Sequence, residues 1–316
     1  MTEEYQNYMK YTVHPWLKEH VKDGYITSED GLNLHYYTAV NPHEKASVLM
    51  VHGFCEFFGK YHETAYRFYQ DGYSVFFLEL RGFGLSDRER SYEDERVYVS
   101  SFEDYVKDIH SFYHQIVTLQ SLSGKYFLFA HSMGGTAVAL YLEEYPDDFS
   151  CAVLSSPMLM VNYGKIPDPV VDGLVVYTKV KPKMDDEYAP GQHAYTGKDE
   201  FEKSSCLDRD RYEYQMSLRA KDRHYQTWGG TWAWARAAKE GTEKAVRNAG
   251  KVKTPVLLCQ AGKDTMVRLK GQDLFDERCD AVTLIVYPDS KHELFNADEK
   301  TRKQYYADLK TYFDAH

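Results

Sequence analysis

The sequence predicts an α/β fold: a mainly parallel central sheet, helices on both faces, and an inserted, mostly helical cap. Three observations carry this prediction. Short apolar runs alternate with longer helical patterns, the runs show little polar alternation, and the rhythm breaks once before it resumes. The runs are 46–51 (ASVLMV), 74–80 (SVFFLEL), 126–130 (YFLFA), 151–155 (CAVLS), 255–261 (PVLLCQA) and 281–287 (AVTLIVY). Each has strand length, and near-continuous apolar character suits strands buried on both faces. Helical patterns follow at 61–71, 101–119 and 133–145. The second opens on Ser101 and the acidic pair Glu103 and Asp104, which suit a helix start. Strand–helix alternation of this kind implies parallel pairing. Residues 24–27 and 33–37, around Glu29-Asp30-Gly31, read as an antiparallel hairpin at the sheet edge.

Between about 157 and 241 the alternation is lost. Pro167, Pro169, Pro182 and Pro190 fall here, with a charge-dense helical stretch (FEKSSCLDRDRYEYQMSLRAKD) and an aromatic patch carrying Trp228, Trp232 and Trp234. The expected organisation is an N-terminal extension 1–23, an α/β core made of 24–156 and 242–316, and a cap 157–241. Within the cap, Val170, Val171, Leu174 and Val175 are spaced to share one helical face. That face either packs on the sheet domain or lines an acyl pocket open to lipid.

The bulk properties exclude several functions. A net charge of −10 argues against a nucleic-acid partner and against capture by an anionic membrane. At most, transient membrane-surface contact through the cap is expected. The five cysteines are widely spaced and odd in number, so neither a disulfide framework nor a zinc site is expected. No metal or other cofactor is expected. The polar, acidic start MTEEYQNYMKYTVHPW does not read as a signal peptide, and no apolar window is long enough to span a bilayer. The expected location is cytoplasmic.

The chemistry-bearing motif is Ala130-His131-Ser132-Met133-Gly134-Gly135, between the run 126–130 and the helical TAVALYLEEY. A sharp strand-to-helix turn lifts a serine hydroxyl off the sheet edge and aims the helix start at a reacting carbonyl. Ala130 and Gly134 keep the flanks small, as the crowded turn requires. A serine hydroxyl is a weak nucleophile without a base, and the base needs an orienting carboxylate. In hydrolases built on such a turn the chain order is serine, acid, histidine. Asp264, just past the run 255–261, and His292, in the loop after 281–287, satisfy that order. The loop Val51-His52-Gly53-Phe54-Cys55-Glu56 should complete an oxyanion hole, with the Phe54 and Met133 amides as donors. Cys55 is a weak rival nucleophile, since no base or turn accompanies it. Arg81-Gly82-Phe83-Gly84-Leu85-Ser86 reads as a tight supporting loop rather than a phosphate cradle.

Together HGFCE, RGFGLSD, AHSMGG, AGKDTMV and SKHELF resemble the monoacylglycerol lipase and bacterial lysophospholipase branch of the α/β-hydrolases. That branch also holds proteins called serine aminopeptidases. The resemblance runs from about residue 24 to 314; VYVSSFEDYVKDIHSF and GGTWAWARAA resemble the lysophospholipase subgroup. It implies an α/β-hydrolase fold with Ser132, Asp264 and His292 as the catalytic triad and Phe54 and Met133 as oxyanion donors. His52, Gly53, Glu56 and Arg81 would brace the surrounding loops. Ala130 replaces the usual glycine, and Cys55 stands where many lipases have glycine. The implied activity is two-step hydrolysis of a carboxylic ester through an acyl-enzyme. The substrate would be a monoacylglycerol or short ester, or else a lysophospholipid. A peptidase using Asp185, Asp186 and Glu187 to hold an ammonium, and a non-catalytic ligand-binding homologue, are the rivals.

Overall fold

A computed structural model describes residues 1–198 and 200–316. It opens with helices α1 (Glu3–Tyr8) and α2 (His14–His20), joined by a π turn, and continues with β1 (Lys22–Thr27), β2 (Asn33–Ala39) and β3 (Ala46–Val51). Then come α3 (His62–Gln70), β4 (Tyr73–Leu78), α4 (Phe102–Phe112), a π turn at Tyr113–Val117, α5 (Thr118–Gln120), β5 (Tyr126–His131), α6 (Met133–Glu144) and β6 (Cys151–Ser155). The segment after β6 carries α7 (Asp168–Lys179), α8 (Arg209–Arg219) and α9 (Trp232–Asn248). The chain closes with β7 (Val256–Ala261), α10 (Leu269–Arg278), β8 (Val282–Tyr287) and α11 (Glu299–Ala315).

The strands form one eight-stranded sheet in the order β1-β2-β4-β3-β5-β6-β7-β8. The β1–β2 and β2–β4 pairs are antiparallel and all others parallel. The chain runs from β3 out to β4 and then back across to β5. This reversal opens a crevice past the carboxyl ends of β3 and β5, where open α/β sheets bind ligands. All residues of β3, β4, β6 and β7 are buried, as their apolar runs require. Alternate side chains supply two cores. Leu49 and Val51 face α4, α6 and α9, whereas Val48 and Met50 face α2, α3 and α11. The predicted Ser101 cap is present, its hydroxyl accepting from Glu103 N at 3.1 Å.

Four expectations need revision. The run 281–287 is an edge strand, half-exposed rather than buried on both faces, because nothing pairs beyond β8. Within α7, Val170 is 51% exposed while Val171 is buried, so the predicted apolar face loses its first member.

The N-terminal extension ends two residues earlier than predicted, since β1 starts at Lys22. It is also helical and packed. Tyr5, Met9 and Val13, spaced four apart, bury against Tyr214 of α8. The Tyr214 hydroxyl is shared between His14 Nε2 at 3.0 Å and His62 Nδ1 at 2.8 Å.

The proposed boundary at 241 falls inside α9. Gly241 looks like a helix end in the sequence, but it is a contact point. A Cβ there would lie 2.9 Å from the Phe102 side chain. Gly241→Val should therefore lower stability by about 1–3 kcal/mol through overpacking. Thermal unfolding measures this, and an unchanged midpoint would show that α9 and α4 are not in tight register.

Candidate active site

The strand β5 delivers Ser132 into a backbone conformation that L residues rarely adopt, φ 52° and ψ −119°. Three backbone hydrogen bonds hold it there. Ser132 N donates to Ser155 O at 3.1 Å, and Ser132 O accepts from Gly135 N at 2.9 Å and Met158 N at 2.8 Å. Strain of this kind persists only where its surroundings over-determine it. Gly134 is the reason the turn can close. A Cβ at that position would sit 2.5 Å from His52 O and 2.6 Å from Val51 O. Gly53 is held to the same standard, since its Cβ would meet Glu56 Oε2 at 2.8 Å and Ser132 Cβ at 3.0 Å. The loops after β3 and β5 are thus in van der Waals contact.

Asp264 and His292 follow β7 and β8, at the same carboxyl edge. His292 Nδ1 lies 2.6 Å from Asp264 Oδ2, and the Asp264 side chain is fully buried. Asp264 Oδ1 accepts from Met266 N at 2.8 Å and Val267 N at 3.2 Å. An ionised carboxylate only accepts, so the imidazole proton sits on Nδ1 and Nε2 is left without one. The His292 ring lies 4.7 Å from that of His131, the residue preceding Ser132. Among the described residues, Ser132 Oγ makes no hydrogen bond, to His292 or to any other group. Such links are commonly long before substrate binds.

Among the described residues, the amides of Phe54 and Met133 have no acceptor, which leaves both donors available. Phe54 is positioned from the other side by Trp234, with ring centroids 4.1 Å apart. His52 is fully buried. Its Nδ1 donates to Gly53 O at 2.7 Å and its Nε2 accepts from Leu80 N at 3.1 Å, tying the β3 loop to the end of β4. Arg81 forks onto Asp108 at 2.7 and 2.6 Å and onto Asp30 at 2.8 and 3.0 Å. It fastens the RGFG loop to α4 and to the edge hairpin. The Cys55 thiol is pushed up to about 12 by burial, against the pull of Arg219, so it is protonated at neutral pH.

Glu56 belongs to a buried charge cluster that sequence reasoning missed. Its carboxylate accepts from Gly53 N at 2.6 Å, from Lys60 Nζ at 2.5 Å and from the Tyr61 hydroxyl. Lys60 also reaches Glu293 Oε1 at 2.8 Å, and Glu293 in turn accepts from Ser205 and Asn296. Burial would raise the Glu56 pKa, but Lys60 and His131 outweigh it and hold the group well below the carboxylate range. Burial likewise opposes the charge on Lys60, yet the two carboxylates raise its pKa to about 12. Glu293 follows His292 and Glu56 contacts Gly53, so one lysine joins the loop after β8 to the loop after β3. No sequence pattern marks Lys60; a lysine after Phe57-Phe58-Gly59 reads as surface.

Residues 42–299 match the model of the family described as Hydrolase_4, serine aminopeptidase S33. The chain belongs to the S33 serine aminopeptidase family. Lysophospholipase L2 of Escherichia coli (strain K12) is 28% identical over 252 residues, 80% of this chain and 73% of that one. The monoacylglycerol lipase of Mycolicibacterium smegmatis is 29% identical over 257 residues, 80% and 83% of the two chains. This S33 member also resembles the crystal structure of Paleococcus ferrophilus monoacylglycerol lipase, with TM-score 0.67, 23% identity and coverage of 88% and 97%. A carboxyl esterase from Bacillus coagulans aligns with TM-score 0.73 at 16% identity over 94% and 98% of the chains. The fold is that of the α/β-hydrolases.

Two outcomes follow from the buried charges. Lys60→Met leaves Glu56 and Glu293 without their cation and should cost about 3–5 kcal/mol. Urea unfolding at neutral pH measures this, and a loss below about 1 kcal/mol would show that the lysine is not the keystone of the cluster. The second outcome concerns His131, fully buried, with a pKa pushed down to about 4 by burial despite Glu56. The unfolded chain therefore binds a proton, near pH 6.5, that the folded chain refuses until about pH 4. Stability contributed this way is intact above 6.5 and falls progressively as pH drops to about 4, by about 3 kcal/mol in all. His131→Asn, which keeps a donor toward Ser155 O, should have a shallower decline over that window. Identical slopes for the two proteins would remove His131 from the acid response.

Proposed function

We propose that the protein is a monoacylglycerol lipase-like carboxylesterase that works through an acyl-enzyme on Ser132. It is a hydrolase acting on esters, as the lysophospholipase and monoacylglycerol lipase relatives support. The observation that carries the mechanism is the 2.6 Å bond from Asp264 to His292 at the same sheet edge as the strained serine. His292 Nε2 takes the Ser132 proton as the hydroxyl attacks the ester carbonyl. Asp264 keeps the ring in the required tautomer and stabilises its charged form. The Phe54 and Met133 amides receive the oxyanion, each worth about 3–4 kcal/mol by analogy with known donors. His292 then protonates the leaving alcohol, and water repeats the attack on the acyl-enzyme.

The substrate reading rests on the segment 157–241, which we take as a cap over the site. A cavity of about 290 Å³ lies against α7 and the start of α9, walled by Val171, Leu174, Val175, Ile166, Trp232 and Trp234. Its lining is mainly apolar, and its size is at the small end of ligand sites, which suits one acyl chain. Trp234 is both cavity wall and the neighbour of Phe54. On the outer side of α7 and just past its end, Val170, Val176 and Val180 are 51, 64 and 70% exposed. These residues supply apolar surface for transient contact with a lipid aggregate. No helix among the described residues is long and apolar enough to cross a membrane.

A lysophospholipid is the second substrate reading, favoured by the match to Escherichia coli lysophospholipase L2. The aminopeptidase reading is weakened by the cap acids. Asp185 is held by Arg236 at 2.7 and 3.0 Å, and Asp186 accepts from Tyr92 at 2.6 Å, so neither carboxylate waits for an ammonium.

Ser132→Ala should leave the unfolding midpoint in place and lower ester turnover by at least about 10³-fold. A panel of p-nitrophenyl esters, monoacylglycerols, lysophosphatidylcholine and aminoacyl-arylamides reads activity and preference together. Full activity in the alanine variant would overturn the mechanism. Turnover of the arylamides alone would overturn the substrate class.

A further inference from the structure

Outside the proposed active site, the π turn after α4 and the loop after α6 bring three metal-binding groups together. His110 and His114 are one helical turn apart, a spacing the sequence reading passed over when no metal was expected. Asp148 joins them from the loop between α6 and β6. One ligand atom from each of the three lies within 4.8 Å of the others. His110 Nδ1 is 3.9 Å from Asp148 Oδ2. Two ligands on a tetrahedral ion with bonds of 2.0–2.1 Å would be about 3.4 Å apart. Closing that gap needs a side-chain adjustment that takes His110 Nδ1 off the Tyr141 hydroxyl, 3.3 Å away, while His114 is exposed.

The surrounding residues hold the ligands in place. The His110 ring stacks on Tyr145 with centroids 4.1 Å apart and planes 15° off parallel. Asp148 Oδ2 accepts from the Tyr141 hydroxyl at 2.5 Å, and Asp148 O accepts from the Tyr113 hydroxyl at 3.0 Å. Partners of this kind orient metal ligands and tune their basicity. Among the described residues, the His114 ring nitrogens have no hydrogen-bond partner.

We propose that His110, His114 and Asp148 form a binding site for a divalent zinc ion. Two imidazoles and one carboxylate suit Zn²⁺, with the fourth position left to water. The ion would join the end of α4 to the loop that follows α6. That loop lies at the opposite end of α6 from Ser132, about 18 Å away for a 12-residue helix. The site therefore braces the scaffold and takes no part in ester chemistry.

The test is titration of the metal-free full chain with Zn²⁺ by calorimetry, beside a His114→Gln variant and a His110→Gln variant. One equivalent should bind to the unaltered chain and at least tenfold more weakly to each variant. Zn²⁺ should raise the unfolding midpoint of the unaltered chain and leave that of His114→Gln in place, while zinc-free ester turnover is the same in both. Absence of Zn²⁺ binding, or equal affinity in the chain and both variants, would overturn the proposal. His114 is exposed, so its replacement tests the site without threatening the fold.

Discussion

The close approach of the β5–α6 turn to the end of β3 constrains everything else in the site. Gly134 packs its bare Cα against the carbonyls of Val51 and His52, and Gly53 does the same against Ser132. Two loops that touch at glycines have no side chains to keep them apart, so their backbones lie in contact. The cost is a serine at positive φ, on the order of 1–3 kcal/mol. The bond from Ser132 N to Ser155 O and those that Ser132 O accepts from Gly135 N and Met158 N offset it. The sheet itself carries the restraint, because Ser155 ends β6, the neighbour of β5.

A second constraint is electrostatic. The loops after β3 and β8 arise from residues far apart in sequence, and each brings a buried carboxylate, Glu56 and Glu293. Two such charges would repel in a low-dielectric interior unless a cation lay between them. Lys60 fills that role at 2.5 and 2.8 Å. The arrangement fixes the distance between the loops by charge pairing, where a purely apolar contact would let them slide. His131, against the same cluster, stays neutral at pH 7 despite Glu56, because burial withholds the solvation that an added proton would need.

Much of this was legible in the sequence, and the physical reason is local. Ser132, Asp264 and His292 each lie just past an apolar run, and parallel strands release their loops at one edge. The structure sets Asp264 and His292 in contact and seats the His292 ring beside His131, without a bond to Ser132. What escaped depends on partners that meet only after folding. Lys60 needs Glu293 to declare its role. The spacing of His110 and His114 was in plain view, yet its third member, Asp148, comes from another element. Gly241 misled because glycine marks both helix ends and close contacts, and only the Phe102 ring distinguishes them. The extension 1–23 looked polar overall, although Tyr5, Met9 and Val13 already had the four-residue spacing of a buried helical stripe.

The position of α9 bears on how substrate recognition is built. Its first turn places Trp232 and Trp234 in the cavity wall, while Ala237, Ala238 and Ala245 bury in the core shared with α4 and α6. One continuous helix thus belongs to both the proposed cap and the sheet domain. The Trp234 wall cannot move without unpacking Gly241 from Phe102, so its contact with Phe54 is rigid. The opposite wall, α7, buries only Val171 and Thr178 and leaves most of its surface in solvent. A helix with so little buried apolar area is held weakly and opens at low free-energy cost. In the proposed acyl pocket α7 is thus the loosely held wall and Trp234 the packed one.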